Sequence, residues 1–274
     1  MKKVWLITGA SSGIGAGNVR AALDTGDQVV ASARNLEKLK AALGEHENLA
    51  FAELDVTEPE QADRAVSVAL ERFGQLDVLV NSAGYSHLGN FEELTVSDIE
   101  DQFKTNFYGV VHLMKAALPV MRKQRAGHVI NISSVAGVVG LKHCAAYAAT
   151  KFAVEGMTLS VAPELERFGV RLTVVEPGFF KTDLLASNNV RYGLNTIEDY
   201  ADEGSTEAMW SVYHGAQPGD PDKLGHVLVQ LSRMDNPPAV FAAGSDALNM
   251  IVPAIQARLD QVQAYPEWSK ASDS

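Results

Sequence analysis

The sequence predicts an α/β protein: a doubly wound parallel sheet, three layers deep, with helices on both faces. Three observations predict it. Short apolar runs alternate with longer amphipathic stretches, and the order repeats along most of the chain. The short runs are apolar on consecutive positions, as in Val4-Trp5-Leu6-Ile7, the pattern of a strand buried on both faces. A glycine-rich turn follows the first of these runs directly.

In order, the first strand is 4–7 and the glycine turn leads into a helix at 14–23. Gly26 and Asp27 punctuate it before a strand at 29–33. A helix at 36–43, a strand at 49–54 and a helix at 58–73 follow. On the last of these, Ala62, Ala65, Val66, Ala69 and Leu70 recur at helical spacing. A fourth strand occupies 77–80, and a long helix covers 96–123. Pro119 should end or kink a segment of that helix. A fifth strand at 129–132, a helix at 147–168 and a sixth strand at 170–175 continue the alternation.

The stretch 184–219 differs. It is polar, with Asn188, Asn189 and Asp199, yet it holds Tyr192, Tyr200, Met209, Trp210 and Tyr213. That mixture suits a helical lid over a pocket. A helix at 221–234, a strand at 239–242 and a helix at 248–262 close the pattern. The tail, 264–274, should fray at its end. No composition break divides the chain, so one domain over 1–274 is expected.

Composition narrows the function. Of 274 residues, 46% are hydrophobic and 21% charged, which is enough apolar material for a sizeable core. The formal charge of -11 repels phosphate backbones, so no nucleic-acid partner is expected. No apolar run approaches the roughly 18–20 residues of a spanning helix, so no membrane partner is expected either. The apolar run after Met1-Lys2-Lys3 is too short for a signal peptide. A single cysteine, Cys144, excludes an internal disulfide and a multi-cysteine zinc site. The seven histidines lack ligand spacing, so no metal is expected. A reducing cytoplasm is the simplest compartment.

The turn reads Thr8-Gly9-Ala10-Ser11-Ser12-Gly13-Ile14-Gly15, with spacing Gly-x3-Gly-x-Gly. Between a strand and a helix, such glycines let the backbone approach a pyrophosphate. They also aim free N–H groups and the helix dipole at that anion. Gly9, Ser11, Ser12, Gly13, Ile14 and Gly15 are therefore candidate dinucleotide contacts. The end of the second strand reports on the cofactor. A carboxylate there would bind the ribose hydroxyls and repel a 2′-phosphate. The chain has Ala33 and Arg34 instead. A guanidinium offers paired donors to phosphate oxygens, which favours NADP(H) over NAD(H). The alternative for Arg34 is a solvated surface charge. Asp55, with Val56 beside it, either accepts from an adenine amino group or caps the helix beginning near Glu58.

Tyr147 and Lys151 sit at i and i+4, on one face of a helix, with Cβ atoms about 5–6 Å apart. A phenol is a poor base at neutral pH, and a neighbouring ammonium favours the phenolate. Lowering its pKa by about three units takes about 4 kcal/mol of differential stabilisation. One lysine together with a cationic nicotinamide can supply that. The partners come from strand ends: Asn131-Ile132-Ser133-Ser134 after the fifth strand, Asn81-Ser82-Ala83-Gly84 after the fourth, and Pro177-Gly178 after the sixth. All face the carboxyl edge of the sheet, where open α/β folds bind ligands.

Thr8-Gly9-x3-Gly13-x-Gly15, Asn81-x-Ala83-Gly84, Asn106, Ser134, Tyr147-x3-Lys151 and Pro177-Gly178, in that order, resemble the short-chain dehydrogenase/reductase family. The resemblance runs from Lys3 to about Asp183 and more loosely to the last strand. The segments Glu176-Pro177-Gly178-Phe179-Phe180-Lys181-Thr182-Asp183 and Gly244-Ser245-Asp246-Ala247-Leu248 look like its hydroxysteroid-dehydrogenase branch. Ser82 stands where the family more often has a second asparagine. Pro163, far along the tyrosine helix, should bend only its distal end.

The resemblance implies a Rossmann fold and hydride transfer between nicotinamide C4 and a carbonyl or alcohol carbon. It makes Tyr147 the general acid/base and Ser134 the group that holds the substrate oxygen. Lys151 would bind the nicotinamide ribose, and Asn106 would position a water in a proton relay. Asn81, Ala83, Gly84, Pro177, Gly178, Phe180 and Thr182 would line the cofactor. It also implies a homodimer or homotetramer built on the long helix and the Tyr147 helix. Near the substrate, His143 and Cys144 are candidate pocket residues, with no base partner to make Cys144 a catalytic thiol. Tyr85 and His87 either touch substrate or are loop residues. Trp210 and Tyr213 either close the pocket or pack the lid. A rival reading is a catalytically silent dinucleotide sensor of the same fold. A third is enoyl reduction or epimerisation. Asn106, Ser134, Tyr147 and Lys151 together argue for carbonyl chemistry.

Overall fold

The computed structural model describes every residue except Met1, Asn188, Ser274 and the side chain of Glu203. The place of Asn188 in the expected lid thus lies outside the described residues. In β1 (Val4–Ile7) all four side chains are buried. Val4 and Leu6 join one apolar cluster, Trp5 and Ile7 another. A strand buried on both faces needs helices on both sides. The chain supplies α1 (Gly13–Asp24), β2 (Gln28–Ala33), α2 (Leu36–Leu43), β3 (Leu49–Glu53), α3 (Pro59–Phe73) and β4 (Val78–Asn81). After a two-residue strand, β5 (His87–Leu88), come α4 (Val96–Phe103), a π-helical turn at Lys104–Tyr108 and α5 (Gly109–Gln124). Then follow β6 (Gly127–Ile132), α6 (Ala145–Leu165), β7 (Val170–Pro177), β8 (Arg191–Tyr192) and α7 (Thr206–Ser211). The last elements are α8 (Pro221–Ser232), β9 (Val240–Ala243), α9 (Ser245–Gln263) and α10 (Pro266–Lys270).

The main sheet has the order β3-β2-β1-β4-β6-β7-β9, and every pairing is parallel. Helices α3, α5 and α6 cover one face through Val66, Leu113, Met121 and Val154. Helices α1, α2 and α8 cover the other through Val19, Leu39, Leu224 and Leu228. This is the doubly wound Rossmann arrangement expected. Winding reverses between β1 and β4, so a crevice opens beyond their carboxyl ends. The register Ile7↔Val80 brings Thr8 beside Asn81 at that point.

One detail differs from expectation. The long helix is interrupted at Lys104–Tyr108, not at Pro119. Pro119 gives up one backbone bond, but Leu113, Ala117 and Met121 around it stay buried and hold α5 together. Pro163 likewise stays within α6. Before its end the tail forms one more short helix: α10 starts on a proline, and Tyr265 stacks on Trp268 at 5.3 Å. A small second sheet, β5 with β8, pins the lid to the segment after β4.

Candidate active site

A cavity of about 720 Å³ lies at the switch point, lined from Gly9 and Arg34 at one end to Leu185 and Trp210 at the other. Thr8 ties its floor together. Its Oγ1 accepts from the N–H groups of Ser82 (3.0 Å) and Ala83 (3.1 Å). Gly9 has φ +64, and a Cβ there would lie 2.9 Å from Ala83 Cα. A Cβ at Gly15 would run into the Gly9 carbonyl oxygen. Gly15 therefore closes the turn from behind rather than facing the cavity, whereas Gly9, Ser11, Ser12, Gly13 and Ile14 line it. The N-terminus of α1 is left open: Ser12 makes no side-chain cap, and no acidic residue sits in the first turn. Its free N–H groups form a cradle that fits a phosphate.

At the far end stands Arg34, exposed, with Lys38 one turn into α2. Among the described residues neither has an ion-pair partner. Asn35 caps α2 by accepting from Lys38 N at 2.8 Å, which aims the start of the helix into the cavity. Asp55 and Val56 also line it. Asp55 does not cap the helix. Its Oδ1 accepts from Thr57 N (3.0 Å) and Thr57 Oγ1 (2.8 Å), and Glu58 holds the N-cap position of α3.

Ser134, Tyr147 and Lys151 share the opposite wall with Ala83, Gly84, Pro177, Gly178, Phe180 and Thr182. Lys151 Nζ donates to the Ile132 carbonyl at 2.8 Å and lies 5.6 Å from the centre of the Tyr147 ring. Ser134 starts a 3-10 turn at Val135–Gly137, accepting from Ala136 N at 3.1 Å, and its hydroxyl also interacts with the phenol. Burial governs both titrations. It pushes the Tyr147 phenol well above its ordinary range, and the bond to Ser134 opposes it. Burial pushes Lys151 down to about 8, and Glu155 opposes that. The protein groups alone therefore keep the phenol neutral. The lowering expected at Tyr147 calls for Lys151 together with a cationic nicotinamide.

Asn106 sits in the π-helical turn, buried and outside the cavity lining. Its Oδ1 accepts from Tyr85 N (3.1 Å), and its Nδ2 donates to Tyr85 O (3.0 Å) and Thr150 Oγ1 (3.4 Å). These bonds explain the interruption: the widened turn swings one amide out to hold the Gly84-Tyr85 segment. Asn81 is also away from the lining. Its Nδ2 donates to Asn131 Oδ1 at 2.8 Å, bracing β4 against β6.

The substrate end carries an apolar set, Leu88, Leu141, Cys144, Leu185, Val190 and Trp210, beside polar Asp183, Asn189 and Gln217. Burial pushes the Cys144 thiol up to about 12, which leaves it unreactive. Trp210 belongs to the lining, and Tyr213 stacks on Phe179 at 5.0 Å behind it. Tyr85 reaches the cavity, and Arg191 lies over its ring at 4.8 Å. His87 and His143 do not belong to the lining. His87 is buried on β5 with Nε2 3.9 Å from Asp98 Oδ1. His143 is buried at φ +62, and its carbonyl accepts from Gly89 N.

Several site residues escaped the sequence reading. Lys38 lies on a helix whose charge pattern looks like an ordinary solvated face. Arg191 reaches the cavity only through the β5–β8 pairing, which two-residue strands do not announce. Glu155, one turn beyond Lys151, and Glu176 on β7 are buried behind the catalytic wall. Burial pushes Glu155 up to about 7, with the nearby Glu176 adding and Ser133 and Lys151 opposing.

A family model for short chain dehydrogenases matches residues 3–192. Oxidoreductase BOA17 of Botryotinia fuckeliana is 33% identical over 276 residues, covering 99% of this chain and all of that protein. A crystal structure of a short-chain dehydrogenase from Streptomyces avermitilis superposes with a TM-score of 0.89 at 34% identity, covering 100% of both chains. A structure of ElxO with NADP bound superposes with a TM-score of 0.74 at 31% identity, covering 91% of this chain and 100% of that one. The chain belongs to the short-chain dehydrogenase family of oxidoreductases.

Proposed function

We propose that the protein is an NADP(H)-dependent oxidoreductase acting on a ketone or aldehyde and the corresponding alcohol, with Tyr147 as general acid/base. The observation that carries this reading is the joint placement of Ser134, Tyr147 and Lys151 on one wall of a cavity whose far end holds Arg34 and Lys38. The N–H groups opening α1 would hold the pyrophosphate, and the two cations the 2′-phosphate. The NADP in the ElxO structure supports that choice. Asp55 Oδ2 receives no bond from a described residue, which leaves it for the adenine amino group. When bound, the nicotinamide supplies or accepts the hydride.

The chain's own groups handle the proton. Ser134 orients the substrate oxygen toward the phenol. A neutral phenol is the form that donates in reduction, and burial, which raises the Tyr147 pKa, favours that form. Proton loss leaves a phenolate facing Lys151, whose ammonium stabilises it. Asn106 keeps the Gly84-Tyr85 wall in place. The same reading expects a homodimer or homotetramer through α5 and α6, where Tyr108, Phe152 and Leu159 stand exposed. The test is consumption of NADPH and NADH with a panel of ketones and aldehydes. Turnover with NADPH and an apolar carbonyl compound is expected. Tight NADPH binding with no turnover on any carbonyl would support the silent sensor instead.

A further inference from the structure

α9 touches the rest of the molecule only at its start. Ala247 and Ile251 are buried against Val135, with Met250 partly covered. From Ile255 to Gln263 every residue of α9 is exposed. An exposed helical stretch as short as Ile255 to Gln263 is marginal in water unless an amphipathic face packs on something. The exposed face is not polar. Leu248 (53% exposed), Val252 (60%), Ile255 (54%), Leu259 (45%) and Val262 (68%) step along it by four, three, four and three residues. Tyr265 and Trp268 extend the stripe beyond the helix, stacked on one another.

We infer that α9 pairs with α9 of a second copy of this chain, through the seam Leu248, Val252, Ile255, Leu259 and Val262. Alternating steps of four and three are the spacing of two helices packing knobs into holes, so the complementary surface is another helix with the same repeat. The seam repeats on an identical chain, and a two-fold axis brings the same patch to both sides. Monomers rarely expose contiguous apolar patches beyond a few hundred Å². Here seven large apolar side chains in one stretch are each at least 45% exposed. Charge agrees. The chain carries -11, but residues 248–270 hold Arg258 and Lys270 against Asp260 and Glu267, a local balance of zero. Two copies therefore meet here without the repulsion they feel elsewhere. A lipid surface would instead call for a basic polar face, which this helix lacks.

The pairing also bears on the site. Asp246, in the first turn of α9, accepts from Phe179 N at 2.6 Å, and Val135 follows Ser134 directly. The helix that would be clamped by the partner thus buttresses two segments of the cavity wall. This interface is distinct from the one expected on α5 and α6.

Sedimentation velocity at micromolar concentration tests it, with two double variants. One is Ile255→Asp with Leu259→Asp, the other Ile255→Lys with Leu259→Lys. Ile255 and Leu259 are both solvent-facing, so both proteins should unfold cooperatively and bind NADPH. Both should sediment at half the wild-type assembly mass. Because the two variants move net charge in opposite directions, a shared halving belongs to the seam. Unchanged mass in both variants overturns the proposal. So does a monomeric wild type, and flotation of that monomer with phosphatidylcholine vesicles would assign the stripe to a membrane surface instead.

Discussion

The two ends of the cavity are built differently. The dinucleotide end is made of backbone. Strand ends, the open start of α1 and the bonds from Ser82 and Ala83 to Thr8 fix it, and β1 behind it is fully buried. The substrate end is made of side chains carried on a lid. That lid holds only short elements, β8 and α7, and leaves Leu194 and Val212 largely exposed. A backbone site offers the same N–H groups whatever the neighbouring side chains are. A side-chain site changes shape with each substitution. The contrast fits a protein whose cofactor is fixed by its fold and whose substrate is set by its lid.

Breaking the backbone end should have the largest effect. Gly9→Val forces a branched side chain into positive φ and against Ala83, so NADPH affinity should fall by roughly a hundredfold or more in a calorimetric titration. Arg34→Ala removes a charge and leaves the fold alone. It should raise the NADPH KM by about tenfold while changing the NADH KM little. Equal changes for both would demote Arg34 to a surface charge. The lid should be more forgiving. Trp210→Ala should raise the carbonyl KM by roughly twofold to tenfold, with unchanged NADPH affinity and melting temperature.

The smallest effect lies behind the catalytic wall. The folded pKa of Glu155, about 7, is above its ordinary 4.5. The folded chain therefore holds that proton more tightly than the unfolded chain. This contribution to stability is complete below pH 4.5 and is lost as pH rises through about 7. Glu155→Gln cannot ionise, so its melting temperature should exceed wild type by a few degrees at pH 8 and match it near pH 4. A gain of the same size at both pH values would point to packing instead.

This division also decided what could be read from the sequence. β1, the glycine turn and Tyr147 with Lys151 are legible because each follows from local rules. Consecutive apolar residues mark a doubly buried strand, glycine marks a close backbone approach, and i, i+4 marks one helix face. The π-helical turn at Asn106 was not legible. It arises from bonds to Tyr85, distant in sequence, while Pro119, the visible breaker, left its helix intact. The burial of Tyr147 was not legible for a similar reason. Spacing reveals the lysine, but burial of the phenol depends on the whole wall. Lys38 and Arg191 reach the cavity through tertiary placement, and their local sequence looks like ordinary surface.

The central claim is that the catalytic wall does chemistry while the dinucleotide end binds, each independently of the other. Tyr147→Phe tests it most directly, because it removes only the phenolic O–H. With saturating NADPH and a carbonyl substrate in stopped flow, the account predicts wild-type NADPH affinity and a chemical step slowed by roughly a thousandfold. A step within tenfold of wild type, or a matching loss of NADPH affinity, would contradict it.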